Sequence, residues 1–143
     1  MAGNKNEEFS INTMVGANTR VNGDIEAAGF TRIDGSVRGK VQVKGRVVVG
    51  EEARMRSDVS GSLVTIGGVV HGNVIASEHL IILSTAIVLG NIITRRIQAD
   101  EGCLIHGKVK VCSTEESWNK ALSEYRDSMG LRSSLQSFLR SHG

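Results

Sequence analysis

The chain has 143 residues, enough for one domain with a tail, and 17 Lys and Arg against 15 Asp and Glu give a net charge of +2. This charge is too small to indicate a nucleic-acid partner, and no apolar stretch approaches the ~20 residues that cross a bilayer. The composition holds 17 Gly, no Pro and only five aromatic residues. We therefore expect a β-rich domain whose core is built from aliphatic side chains.

The first twelve residues are predicted to form a flexible leader, since the first eight are polar and form no secretory signal. Two cysteines are too few for a disulfide framework, and they suit a reducing compartment. These features together indicate a cytoplasmic protein. Phe9 and Ile11 are the leader's apolar candidates for a membrane contact.

The body of the chain repeats the pattern apolar-x-Gly-x-apolar, with Ser57 in place of glycine in a sixth, degenerate copy. The central residues stand 15 to 18 positions apart, at 23, 39, 57, 72, 90 and 107. A repeat this short cannot bury its own apolar face, so successive copies must stack on one another. We predict a β-helix of about six turns over residues 13–112, each turn holding about three short strands.

Alternation along each strand points the first and last residue of the pattern into the coil. The predicted core ladder is Val37, Val41, Met55, Val59, Val70, Val74, Val88 and Ile92. The residues after the central position form an outward ladder of Asp24, Lys40, Asp58, Asn73, Asn91 and Lys108. The first three alternate in charge at stacking distance, which favours ion pairs along the ladder. A neighbouring outward column, Arg38, Arg56 and His71, is partly basic.

Residues 113–143 lack Val and Ile and are predicted to form an amphipathic helical tail. Ser113 with Glu116 fits a capping box, and the apolar face of the helix is Trp118, Leu122, Tyr125 and Met129. We expect this helix to fold back over one end of the β-helix. The alternative is a free helix that binds a partner or a membrane.

Several segments, in order, resemble the bactofilin family of bacterial cytoskeletal proteins. They are Val-Gly-Ala-Asn-Thr at 15–19, Arg-Ile-Asp-Gly-Ser-Val-Arg-Gly at 32–39, Val-Gly-Glu at 49–51, Ile-Gly-Gly at 66–68 and Val-Leu-Gly-Asn-Ile-Ile-Thr at 88–94. The resemblance implies a right-handed parallel β-helix that polymerises into filaments without nucleotide. It also implies contact with the inner face of the cytoplasmic membrane, and a role in cell shape or in placing cell-wall enzymes. The helical tail departs from the disordered flanks usual in that family.

A β-helix ends in two turns whose backbone donors and acceptors are unpaired on one side, and natural proteins normally protect such edges. This chain has no proline to do so. We predict that the ends stack on other copies, giving a homopolymer. The predicted end contacts are Met14, Val15, Val21 and Ile25 at one end and Ile105, Val109 and Val111 at the other. The competing expectation is that leader and tail cap both ends.

No motif predicts an enzyme, a cofactor or a metal site. Residues 102–108 match a phosphate-binding loop until Val109 replaces the required hydroxyl residue. His71 and His106 lie two turns apart in one column, roughly 10 Å at ~4.8 Å per turn, which is too far to share one zinc ion.

Two alternatives to a filament protein stay open. A six-residue spacing of apolar residues from Leu63 to Val111 suggests a left-handed hexapeptide-repeat acyltransferase, but few residues that follow these positions fit that template. The other alternative is a non-polymerising adaptor that recruits a partner through its tail helix.

Overall fold

The computed structural model describes residues 11–127 as twelve β-strands followed by a helix, α1, at 115–127. The strands are β1 Thr13–Val15, β2 Arg20–Asn22, β3 Ile25–Ile33, β4 Ser36–Val49, β5 Arg54–Ile66, β6 Val69–His71, β7 Val74–Ile82, β8 Ile87–Leu89, β9 Ile92–Thr94, β10 Ile97–Ala99, β11 Leu104–His106 and β12 Val109–Val111. All strand pairs are parallel, and partners lie 15 to 18 residues apart, as in Arg54–Val69 and Val37–Met55. The chain is a parallel β-solenoid of about six turns, as its sequence predicts.

Each turn contributes one strand segment to each of three faces. Face 1 holds 13–15, 31–33, 47–49, 64–66, 80–82 and 97–99. Face 2 holds 20–22, 36–38, 54–56, 69–71, 87–89 and 104–106. Face 3 holds 25–27, 41–43, 59–61, 74–76, 92–94 and 109–111.

Several strands are longer than the short segments expected from the sequence. β4 runs for 14 residues through faces 2, 3 and 1, and β5 runs for 13. At the corner between faces 2 and 3 the β4–β5 ladder continues, because Gly39 still pairs with Ser57 in the next turn. At the corner between faces 3 and 1 the same ladder shifts register between Gln42 and Arg46. The repeat pattern marks where the chain bends, but it does not show whether pairing stops at the bend.

The core lies inside the coil and is almost entirely aliphatic. All eight residues of the predicted core ladder are at most 2% exposed. Face 1 adds pairs of buried residues from each inner turn, such as Val47 with Val49 and Leu80 with Ile82. Buried apolar surface contributes roughly 25 cal/mol per Å², so this continuous column is the main source of stability in a chain with so few aromatic residues.

A column of small residues at the corner between faces 2 and 3 lets the turns approach closely. Gly39 has a φ of 143°, and a Cβ there would collide with the carbonyl oxygen of Gly23 in the turn before. Gly90 and Gly107 meet the preceding carbonyl in the same way. Ser57 occupies this column in the third turn, where its hydroxyl donates a 3.0 Å hydrogen bond to the Val37 carbonyl.

The outward ladder beside this column is held by hydrogen bonds rather than by alternating ion pairs. The Lys40 N–H donates to Asp24 Oδ1 at 2.9 Å, and the Asn73 N–H donates to Asp58 Oδ1 at 2.8 Å. Asn73 and Asn91 accept in the same way from the turns that follow, at 3.1 Å. The expected ion pairs are not formed: the salt bridges within residues 11–127 are Arg32–Asp34, Arg95–Glu115 and Lys110–Glu124. Each short Asp or Asn side chain reaches the next turn's backbone N–H instead.

Candidate assembly surfaces

The last turn of the solenoid leaves one edge of its backbone without a partner in the described part of the chain. β10, β11 and β12 each pair with the preceding turn only, through β7, β8 and β9. Ile105 is half-buried against the core, while Val109 and Val111 are 40% and 52% exposed. Val109 and Val111 align with Ile92 and Thr94, which are fully buried one turn earlier. Within residues 11–127, nothing covers this end of the core.

The first turn presents a similar open end. Val21 and Ile25 are half-buried and pack against the core from one side. Val15 is already buried within its own chain. Its side chain is therefore less available for contact with another copy than the sequence predicts. Met14, 60% exposed, pairs with Arg32 and lies on the outer surface of face 1. Its side chain does not extend the apolar end, because the inward positions of β1 are Thr13 and Val15.

The helix α1 packs along the side of the solenoid and covers neither end, contrary to the expectation that it folds over one. Its apolar residues contact the outer surface of face 3, where Trp118 and Ala121 are buried with Ile93 and Cys112. Leu122 and Tyr125 pack there as well, beside Ile75. Two consecutive turns of face 3 carry isoleucine at an outward position, and this pair forms the docking site.

Polar contacts define where α1 begins and hold its first turn against the solenoid. Thr114 and Ser117 form the capping box, since the Ser117 N–H donates to Thr114 Oγ1 at 3.2 Å and the Thr114 N–H donates to Ser117 Oγ at 3.3 Å. Ser113 and Glu116, the predicted pair, are one position too early in the chain. The Arg95 guanidinium lies 5.5 Å from the centre of the Trp118 ring, a cation–π contact.

Near the other end of α1, an ion pair joins the helix to the last turn. Lys110 Nζ donates to Glu124 Oε2 at 3.1 Å, and this hydrogen bond lowers the pKa of Glu124 below its ordinary value. Tyr125 lies beside Asn73. These contacts hold residues 115–127 of the helix against the side of the solenoid.

The remaining predicted residues have no common site. Phe9 and Met129 lie outside the described residues, and Ile11 is exposed ahead of β1. His71 and His106 are both exposed on face 2. Residues 102–108 form a turn, β11 and a corner, rather than the strand-to-helix loop that binds phosphate.

Residues 11–127 contain neither a clustered set of metal ligands nor a membrane-spanning helix. No group of three or more His, Cys, Asp or Glu in that range is placed to hold a metal ion. Within the same range, no helix combines the length and apolar character needed to span a membrane.

Comparison with known proteins agrees with this geometry. Residues 13–110 match the family described as Bactofilin, polymer-forming cytoskeletal. Bactofilin BacO of Myxococcus xanthus is 30% identical over 98 residues, which are 68% of this chain and 78% of that protein.

Two solved structures of Thermus thermophilus bactofilin are also similar. A cryo-EM reconstruction of its double helical filaments matches with a TM-score of 0.67 and 32% identity, over 70% of this chain and 99% of that one. A crystal structure of a mutant form matches with a TM-score of 0.59 and 33% identity, over 64% of this chain and all of that one. The family assignment replaces the acyltransferase alternative. The chain belongs to the bactofilin family of polymer-forming cytoskeletal proteins.

Proposed function

We propose that this protein assembles end to end into nucleotide-independent filaments that act as a scaffold for cell shape or for the placement of cell-wall enzymes. The observation that carries the proposal is the open last turn, where Ile105, Val109 and Val111 end an otherwise buried core beside an unpaired backbone edge. Parallel strands extend readily from such an edge. End-to-end contact would continue both the hydrogen-bonded ladders and the core.

The position of α1 supports the same proposal. Because the helix covers the side of the solenoid, its contacts with Ile75 and Ile93 are compatible with a neighbour at either end. Assembly through the ends needs no bound nucleotide, since the contacts are apolar side chains and backbone hydrogen bonds. A membrane contact of the filament through Phe9 and Ile11 would place the scaffold on the inner face of the cytoplasmic membrane.

The test compares two arginine substitutions on adjacent residues of β11. Ile105→Arg places a charge against the open core, whereas Leu104→Arg places it on the outer surface of face 2, where Leu104 is already 56% exposed. Both proteins are examined by negative-stain electron microscopy in buffer free of nucleotide and metal ions. We expect filaments from the parent and from Leu104→Arg, and short soluble species from Ile105→Arg.

Circular dichroism on the same samples checks that Ile105→Arg keeps its β-sheet signal. Long filaments from a folded Ile105→Arg protein would overturn the assignment of the open last turn as the assembly surface. Filaments that appear only after nucleotide is added to the parent would overturn nucleotide independence.

A further inference from the structure

Face 2 carries a concave groove of about 630 Å³ whose charged lining is entirely cationic. Its basic residues are Arg20, Arg38, Arg54, Arg56 and His71, all exposed, and they come from four successive turns. No Asp or Glu belongs to the described lining. Val69 and Leu89 extend the groove toward the C-terminal turns and give that end an apolar character.

The arginines of the groove are not neutralised within the described chain. Arg54 donates to the carbonyl oxygens of Ala53 at 2.9 Å and of Glu51 at 3.2 Å. The three salt bridges of residues 11–127 lie elsewhere and leave Arg20, Arg38 and Arg56 without a carboxylate partner.

This arrangement costs stability. Arg38 and Arg56 are directly paired in register on neighbouring strands, and like charges in that position repel one another. The repulsion would disappear if either arginine were replaced by a small polar residue such as serine, which the same strand carries at Ser36. A binding partner that supplies negative charge would offset the repulsion.

The shape of the groove selects among anionic partners. A concave site of this volume suits a short extended segment of polypeptide, whereas a bilayer presents a broad surface that does not enter it. Guanidinium groups bind carboxylates through two parallel hydrogen bonds. We propose that the groove binds an acidic, extended peptide segment of a partner protein, with an apolar residue of that segment against Val69 and Leu89.

The experiment measures binding of a fluorescein-labelled decapeptide, in which glutamate alternates with serine and the last residue is leucine, by fluorescence anisotropy. We expect saturable binding to the full-length protein that weakens as salt rises from 50 to 300 mM, since exposed charges are screened (Debye length ~10 Å at 0.1 M). The double substitution Arg38→Ser and Arg56→Ser is expected to weaken binding at least about tenfold, because it removes two of the paired guanidinium groups.

The matched control is Lys40→Ser with Lys44→Ser, which removes the same net charge from exposed positions outside the groove. We expect that control to change affinity by less than about threefold, since its charges lie beyond direct contact. The Arg38 and Arg56 variant should also unfold at a higher urea concentration than the parent, because the like-charge repulsion is gone.

Three results would overturn the proposal. They are no saturable binding to the parent, equal loss of binding in both double variants, and retention of the peptide when glutamine replaces every glutamate. Vesicles of phosphatidylglycerol and phosphatidylcholine provide the last arm. If they bind through Arg38 and Arg56 while the peptide does not, the groove recognises lipid and the peptide proposal fails. All lining residues come from one copy, so the groove does not need assembly to form.

Discussion

The corner glycines between faces 2 and 3 differ in how closely they approach the preceding turn, so a substitution at one of them can serve as the control for the same substitution at another. Gly39 and Gly23 occupy the same position in adjacent turns and have nearly equal φ values, 143° and 140°. An alanine at either position is strained by the backbone conformation, at a cost of about 1–3 kcal/mol. Only their surroundings differ, since a Cβ on Gly23 meets nothing within 4 Å in a single copy.

A Cβ on Gly39 would lie 2.6 Å from the carbonyl carbon of Gly23, closer still to the oxygen, and 3.1 Å from Asp24 Oδ1. That carbonyl belongs to the tightly stacked backbone of the preceding turn and has little room to move. Crowding of this kind in a packed interior costs about 1–3 kcal/mol in addition to the strain. We therefore expect Gly39→Ala to lose about 2 kcal/mol more free energy of unfolding than Gly23→Ala.

The assay is urea unfolding followed by far-ultraviolet circular dichroism, at protein concentrations where light scattering detects no assembly. With an m-value of about 2 kcal/mol/M, the Gly39→Ala midpoint should lie about 1 M below that of Gly23→Ala. Equal midpoints would mean that the preceding carbonyl moves aside without cost, and they would refute the argument that close stacking requires glycine in this column.

Two further predictions concern the outward ladder and the helix. Asp58→Ala removes the acceptor of the Asn73 N–H and should lower the free energy of unfolding by about 1.5–3 kcal/mol. Asp58→Asn keeps an acceptor at this position and should lose less than half of that free energy. Equal losses of the two variants in urea unfolding would contradict the hydrogen-bonded ladder. Trp118→Ala removes the main buried side chain that holds α1 on the solenoid, and the loss of such a side chain costs about 3–5 kcal/mol. Protease should therefore cleave within residues 115–127 faster, while the β-sheet signal in circular dichroism remains. The exposed Glu116→Ala is its control, and equal cleavage rates in the two variants would count against docking through Trp118.

The sequence by itself determined the solenoid. The apolar-x-Gly-x-apolar pattern fixes which side chains point inward, because alternation along a strand is a local property of the backbone. The number of its copies fixes the number of turns and their spacing fixes the length of each turn, since a unit this small is stable only when stacked. Val70 and Val88 are buried as the pattern predicts, and the small Ser57 fits the glycine column by donating to a carbonyl.

Only the tertiary structure decided the features that depend on contacts between turns or on the outer surface, such as the face on which α1 docks. Apolar residues point outward on all three faces, for example Ile81 on face 1, Ile87 on face 2 and Ile93 on face 3, so the sequence does not select the face on which α1 docks. That choice needs two apolar outward positions in consecutive turns within reach of the chain after β12.

The role of Asp58 as a backbone acceptor likewise follows from the register between strands. The repeat predicts the outward column that contains Arg38 and Arg56, and the structure adds that both residues line one groove. Residues 15 to 18 positions apart become neighbours only when the turns stack. The local pattern specifies each turn, and the stacking specifies the surfaces through which the protein meets other molecules.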